Sequence, residues 1–479
     1  MKHKSFLKNA AVISLGGLAA KSIGALYRLP LTGILGGYGM GLYQMAYPLF
    51  CVLLTFSSAG IPSALARMIA SETARGRTGR DTVKVALRLF ALLGLVGSLL
   101  MCLFAPYMSA LQGDGNLLPC YLALAPSVFF VALIAVLRGY FQGQNDMRPT
   151  AFSSIVEQVF KAGAGLLFAW RFQSEPTRAV AYTLLAVTIS ELAALCYLAS
   201  RYRGERGIGL LRVRRTAGRD ILAAAFPVMA AAALMPISQT VDSVVIVRLL
   251  SRFSDRAVAL YGLFAGGAVS LVNLPATLCY GLAAATVPAV SGASARGDDK
   301  EARNRAILSL TLTLGFSVPC AAGLFLFARP IVRLLYSSLS VEDGALLVRL
   351  VKLSSVSAVS IASVDTLAAC LTGLGRAKQA AISMLAAVTV KLVLQFVLVS
   401  NPALSVGGAA IAANACYLVA FFLDLFYTVR KTKREKSHDY DSGIRRREGG
   451  LESQGVEGDQ IGGQGAPAHG KTSLRGEPA

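Results

Sequence analysis

The sequence has 479 residues, 54% of them hydrophobic and only 15% charged, against roughly 25% charged in soluble domains. Its apolar residues stand in blocks of about 20 or more, the length a helix needs to cross a bilayer, which excludes a large soluble core and implies a polytopic membrane protein. The net charge of +21 does not indicate nucleic acid as a partner: the basic residues fall mostly in short segments between apolar blocks, as topology selection produces, rather than on one folded module.

Twelve spanning segments follow in order, at 6–28, 40–62, 84–106, 118–140, 150–170, 179–200, 221–248, 259–290, 306–328, 346–374, 377–400 and 404–428. All are expected to be helical, because backbone groups inside lipid must be satisfied within the segment and these runs are too long and too uniformly apolar for barrel strands. The first begins "MKHKSFLKNAAVISLGGLAA", like a signal peptide, but its apolar run exceeds signal-peptide length and ends at no cleavage site. It is read as a retained helix.

That first span carries Lys21 and Arg28. A charge at mid-bilayer costs at least a few kcal/mol, so such residues face a polar interior. Lys21, Gly24 and Arg28 follow i, i+3, i+7 spacing and share one helix face. Arg28 lies near the span end, where it can snorkel; Lys21 is deeper. Span five holds Glu157 and Lys161 at i, i+4, an order that also allows them to neutralise each other. Span six holds Glu191. Span seven holds Asp242 and Arg248, span ten Lys352 and Asp365, and span twelve Asp424. Lys391, in span eleven, has no carboxylate within four residues. Intramembrane carboxylates serve as proton or sodium sites or as counter-ions to the lysines, and both roles are open for Glu157, Asp242 and Asp365. Cations on spans expected to line a central cavity suit an anionic substrate, with diphosphate the natural candidate.

The chain repeats itself. "AGIPSALARMIASETARGRTGRD" stands near the end of span two and "AATVPAVSGASARGDDKEARN" near the end of span eight. Gly143 and Lys161 match Gly373 and Lys391 at the same offset. Two six-helix lobes are expected, 1–205 and 221–428, joined by a basic cytoplasmic linker at 206–220. An even number of spans per lobe makes them parallel repeats about an axis along the membrane normal. Residues 429–479 are polar and Gly-rich and are expected to form a disordered cytoplasmic tail. With the N-terminus inside, the inner segments hold Lys2, Lys4, Lys8, the arginines from Arg201 to Arg219 and the cluster from Arg430 to Lys436. The outer loops "YMSALQGDGNLLPC" and "NPALSVG" hold no Lys or Arg. Arg171, Arg178, Arg252, Arg256, Arg329 and Arg333 run against this bias, but both termini are placed in the cytoplasm.

Enzymatic and metal chemistry find little support. The three histidines lie in the terminal polar segments, the eight cysteines form no CxxC pair and read as small packing residues, and Walker A, HExxH and GxSxG motifs are absent. No cofactor or metal is expected.

Several strings resemble one known group. "AKSIGALYRLPLTGILGGYGMGLYQMAYPLF" (20–50) and "SSAGIPSALARMIASETARG" (57–76) are similar to the opening of the polysaccharide transporters of the multidrug/oligosaccharidyl-lipid/polysaccharide (MOP) flippase superfamily. "QTVDSVVIVRLL" (239–250) and the 261–298 segment containing "LVNLP" resemble its stage V sporulation protein B branch. The resemblance covers roughly 5–428. It implies a MATE/MOP-like fold and alternating access between the lobes, moving an undecaprenyl-linked oligosaccharide or the lipid-linked peptidoglycan precursor to the outer leaflet. It also implies cavity cations that engage the diphosphate. Lys21 resembles the first-helix basic position of lipid II flippases, and Asp242 an acidic position of the branch's span seven. Many members add two helices that form a groove for the lipid tail; the apolar segments here end near Tyr427.

The expectation is thus a flippase, not an enzyme, of the bacterial cytoplasmic membrane. It serves cell-wall, spore-cortex or polysaccharide biosynthesis, with a polyprenyl-diphosphate-linked glycan and membrane lipid as partners. Lys21, Arg28, Lys161, Lys391 and Arg248 are the candidate diphosphate ligands, and Glu157, Asp242 and Asp365 the candidate coupling or counter-ion groups. A multidrug/cation antiporter would instead need acidic residues to dominate the N-lobe cavity. A membrane polysaccharide polymerase would need a large charged outer loop. The cation-rich first half and short outer loops disfavour both.

Overall fold

The computed structural model describes residues 2–58, 60–74, 79–203 and 217–430, and every regular element among them is helical. Most of the expected linker and nearly all of the expected tail lie outside these residues, as does the helix-or-loop state of 75–78. In the first half of the chain stand α1 (Lys2–Ser58), α2 (Ile61–Ala74), α3 (Arg80–Gln112), α4 (Leu117–Gly143), α5 (Arg148–Arg171) and α6 (Pro176–Arg203). The second half has α7 (Ala217–Leu250), α8 (Ala257–Gly262), a π-helical turn (Leu263–Ala268), α9 (Val269–Ala295), α10 (Asp299–Leu326), α11 (Ala328–Leu335), α12 (Val341–Gly373), α13 (Ala377–Val399) and α14 (Val406–Val429).

Ten helical segments among the described residues are long and apolar enough to cross a membrane. The first of them, Leu15–Thr73, holds two of the expected spans. At about 1.5 Å per residue, the 57 residues of α1 reach about 85 Å, far beyond a hydrocarbon core of about 30 Å. The chain breaks at Gly36, whose φ of 66° and ψ of −176° belong to a region that only glycine enters readily. So α1 is two helices, 2–35 and 37–58, joined at one glycine within the gap that separates the first two expected spans. Helix α5 falls outside the ten because Arg148, Glu157, Lys161 and Arg171 make it polar. Splitting the first segment and adding α5 recovers the twelve expected spans. Large apolar side chains face outward, as on α3, where Leu92, Leu99 and Leu103 are 60%, 60% and 73% exposed; lipid accommodates such a surface and water does not.

The halves are welded at one end by close backbone packing. A Cβ on Gly262 would lie 2.0 Å from the Gly37 carbonyl oxygen, and one on Gly41 would lie 2.1 Å from that of Val258. Glycine at these positions lets α1 and α8 touch main chain to main chain. Polar bridges surround this contact. Gln112 donates to Ser243 Oγ at 2.9 Å, Arg248 Nε to the Leu111 carbonyl at 2.7 Å, and Gln44 to the Ala265 carbonyl at 2.7 Å. The π-helical turn displaces carbonyls from the regular ladder, and Gln44 and Thr32 of α1 take up those of Ala265 and Gly266. The loop between α3 and α4, one of the expected outer loops, lies at this end. The two repeat glycines take matching positions: each seats on the helix that carries its half's Pro-containing motif, Gly143 against Ile69 of α2 and Gly373 against Val290 of α9.

Candidate functional site

The expected face of α1 is real. Lys21, Gly24 and Arg28 all line one cavity of about 320 Å³, with Lys161 of α5, Asn273 and Tyr280 of α9, and Asp365 of α12. At Gly24 the side-chain end of Gln158 of α5 comes close, and a Cβ there would meet its Oε1 at 2.7 Å. Three cations and one carboxylate leave the lining with a net charge of +2. Lys21 Nζ sits 3.2 Å from the centroid of the Tyr280 ring, and the Arg28 guanidinium lies 5.9 Å from that of Tyr47. Such ring faces stabilise a cation without neutralising it. Asp365 is the charged neighbour of Lys21, but the two are not within ion-pair distance. Tyr43 and Tyr47, stacked with centroids 5.3 Å apart, complete the wall on the second segment of α1.

Lys161 does not pair with Glu157. The Glu157 carboxylate accepts from Arg138 of α4 at 3.0 Å and from Gln158 at 2.9 Å. Arg138 also donates to Ser153. Lys161 keeps Glu157, Glu191 and Arg28 as charged neighbours, with no ion pair within 4.0 Å among the described residues. Its ammonium is therefore left to the cavity.

A second cavity of about 240 Å³ adjoins the first and shares Arg28, Tyr47 and Asn273 with it. Here Lys391 and Asp242 meet: Lys391 Nζ lies 2.6 Å from Asp242 Oδ2 and 2.6 Å from Ser238 Oγ. The pair is largely buried, with side-chain exposures of 11% and 16%. Asp242 Oδ1 and Gln395 Oε1 have no hydrogen-bond partner among the described residues. Removing one member of such a pair leaves the other charge buried alone, at about 3–5 kcal/mol. Asp242→Ala is thus expected to lower the thermal midpoint sharply in detergent, and adding Lys391→Met to recover much of the loss. Equal melting of wild type and Asp242→Ala would show that the pair does not form.

Arg248 stands apart from these cations. Bonded to Leu111, it lines a third cavity, of about 590 Å³, with Tyr38, Asp114, Asp255, Arg256 and Asp343. Of the eight candidate ligand and counter-ion residues, the first cavity gathers Lys21, Arg28, Lys161 and Asp365, and the second adds Asp242 and Lys391. Glu157 lies behind Lys161, and Arg248 is at the welded end. Arg138, Asn273 and Tyr280 were missed. Arg138 stands near the end of its expected span and looks like an interfacial arginine. Asn273 and Tyr280 are uncharged, and inside a membrane span only charge marks a cavity position in the sequence.

The model of the polysaccharide biosynthesis protein family matches residues 6–294, and the MatE model matches residues 227–397. Stage V sporulation protein B of Bacillus subtilis (strain 168) is 28% identical over 429 residues, spanning 86% of this chain and 81% of that protein. The lipid II flippase MurJ of the same organism is 22% identical over 469 residues, spanning 92% and 85%. Among solved structures, a lipid II flippase MurJ in an inward closed conformation superposes with a TM-score of 0.69 at 15% identity, covering 89% of each chain. An inward-facing multidrug resistance MATE family transporter of the MOP superfamily gives 0.65 at 20% identity, covering 88% of this chain and 96% of its own. At these identities the two structures establish the fold.

Proposed function

The chain belongs to the polysaccharide biosynthesis protein family, and from that premise we propose that it flips a polyprenyl-diphosphate-linked glycan across the bacterial cytoplasmic membrane by alternating access. That it is a multi-pass membrane protein of the MOP flippase superfamily follows from its helices and its relatives. The observation that carries the substrate class is the first cavity, where Lys21, Arg28 and Lys161 converge without carboxylate partners in ion-pair contact among the described residues. A diphosphate supplies the missing anionic charge and several acceptor oxygens, and charge-assisted hydrogen bonds to it are the strong ones.

In this reading residues 1–205 and 221–428 are two lobes that rock about the cavity, with both termini in the cytoplasm. The headgroup enters from the cytoplasmic side, and its diphosphate bridges Lys21 and Arg28 of α1 to Lys161 of α5. The α1–α8 weld and its polar bridges then separate on the outer side, and the glycan leaves. Arg248 acts at this outer seal rather than as a diphosphate ligand. Asp365 balances Lys21 between substrates, and Asp242 holds Lys391 until the anion competes for it. A proton or cation at Asp242 or Asp365, or the membrane potential, resets the lobes.

Reconstituted in proteoliposomes, the protein is expected to accelerate leaflet exchange of a short-chain polyprenyl-diphosphate oligosaccharide and to leave cationic-dye transport at the level of protein-free vesicles. Dye transport without lipid exchange would support the antiporter instead.

A further inference from the structure

Two of the first cavity's walls differ chemically, apart from the α12 side that carries Asp365. One is cationic, from α1 and α5. The other belongs to α9, where Ser270, Asn273, Thr277 and Tyr280 all line the cavity. Their i, i+3, i+7, i+10 spacing makes them one stripe on the helix. The stripe is neutral: a hydroxyl, an amide, a second hydroxyl and a phenol ring. It begins two residues after the π-helical turn Leu263–Ala268. A π-turn rotates all that follows it relative to a regular helix, and so sets which side of α9 faces the cations.

A wall that only had to assist a diphosphate would gain from more positive charge. This one offers directional donors and acceptors instead. Ser270 is 5% exposed, and its Oγ has no hydrogen-bond partner among the described residues. Thr277 Oγ1 donates to the Asn273 carbonyl at 2.9 Å, so its lone pairs remain available as acceptors. Tyr280 joins the walls, with one ring face under Lys21 Nζ. Neutral donors and acceptors beside an aromatic ring suit a sugar ring, which carries hydroxyls on its edge and C–H groups on its faces.

We propose that the α9 stripe of Ser270, Asn273, Thr277 and Tyr280 is a carbohydrate subsite that reads the sugar attached directly to the diphosphate. The inference rests on the flippase reading above and adds to it the group that selects the glycan. With the diphosphate held by Lys21, Arg28 and Lys161, the first sugar lies across the cavity against α9, and Asn273 supplies its amide to neighbouring sugar hydroxyls. A site built to hydrogen-bond a ligand discriminates strongly against an analogue lacking those groups, because its own polar atoms are then left unpaired.

The test uses the full chain in lipid nanodiscs and two probes: a short-chain polyprenyl diphosphate, and the same lipid carrying one N-acetylhexosamine. Wild type is expected to bind the glycosylated probe more tightly. Asn273→Leu should weaken that probe about tenfold or more, the loss of one or two hydrogen bonds, and should change the sugar-free probe by less than about twofold. Ser270→Ala, which removes one atom and leaves packing intact, should shift the glycosylated probe alone in the same direction by a smaller factor. Lys161→Ala should weaken both probes alike. Equal effects of Asn273→Leu and Ser270→Ala on the two probes, or no effect on either, would overturn the sugar subsite while leaving the cationic site standing. Failure of wild type to bind either probe would overturn the flippase reading, and the subsite with it.

Discussion

Lys21→Ala is expected to cut translocation of a diphosphate-linked glycan by about 30-fold or more while the protein still folds. Losing one partner of a charge-assisted contact in a secluded site costs about 2–5 kcal/mol, and each 1.4 kcal/mol is tenfold. Lys21 faces the cavity directly, so the lower end of that range applies. Its contribution to stability is far smaller. Its amine makes a cation–π contact with Tyr280 but no ion pair among the described residues, and such a contact is worth about 0.5–1 kcal/mol where solvent reaches it. The thermal midpoint should therefore move little. Lys21→Arg keeps the charge in a longer, planar group and should retain part of the rate. Full translocation by a well-folded Lys21→Ala protein would remove Lys21 from the site.

Joining Gln112 to Ser243 covalently should stop transport completely and reversibly. These side chains meet at 2.9 Å between α3 and α7, beside the α1–α8 weld where neither Gly262 nor Gly41 has room for a Cβ. Alternating access requires this end to open once in every cycle. With Gln112→Cys and Ser243→Cys in a background cleared of the eight native cysteines, a bifunctional methanethiosulfonate crosslinker, which spans the gap that the long Gln112 side chain fills, should bring translocation to the protein-free level, and reduction should restore it. A crosslinked protein that still transports would place the moving interface elsewhere.

What was legible in the sequence divides along physical lines. Span length is set by the bilayer and is written locally, so the helices of the twelve-span fold stand out as uninterrupted apolar runs. The shared face of Lys21, Gly24 and Arg28 was legible for the same reason: helical periodicity is a local property. Lys161 and Lys391 are marked in the sequence by lying inside expected spans at equal distance from the repeat glycines. Partners were not legible. Asp242 lies 149 residues from Lys391, and nothing in either segment names the other. Glu157 has Lys161 one turn away, yet Arg138, 19 residues back on a neighbouring helix, takes its carboxylate. The five glycines from Gly33 to Gly41 mark a hinge or tight turn between the first two spans, but nothing in the sequence singles out Gly36 as the one with a positive φ. The α9 stripe was hidden because it carries no charge, and because a π-helical turn just ahead of it resets the helix phase.

The central claim, that the cavity recognises a diphosphate linking glycan to lipid, is tested most directly by a paired translocation measurement on the wild-type protein. Proteoliposomes receive one of two short-chain polyprenyl glycans, identical except that one is joined through diphosphate and the other through a neutral ether. The account predicts rapid leaflet exchange of the diphosphate lipid and background exchange of the neutral one. Equal exchange of both would contradict it, because Lys21, Arg28 and Lys161 would then have no anion to bind.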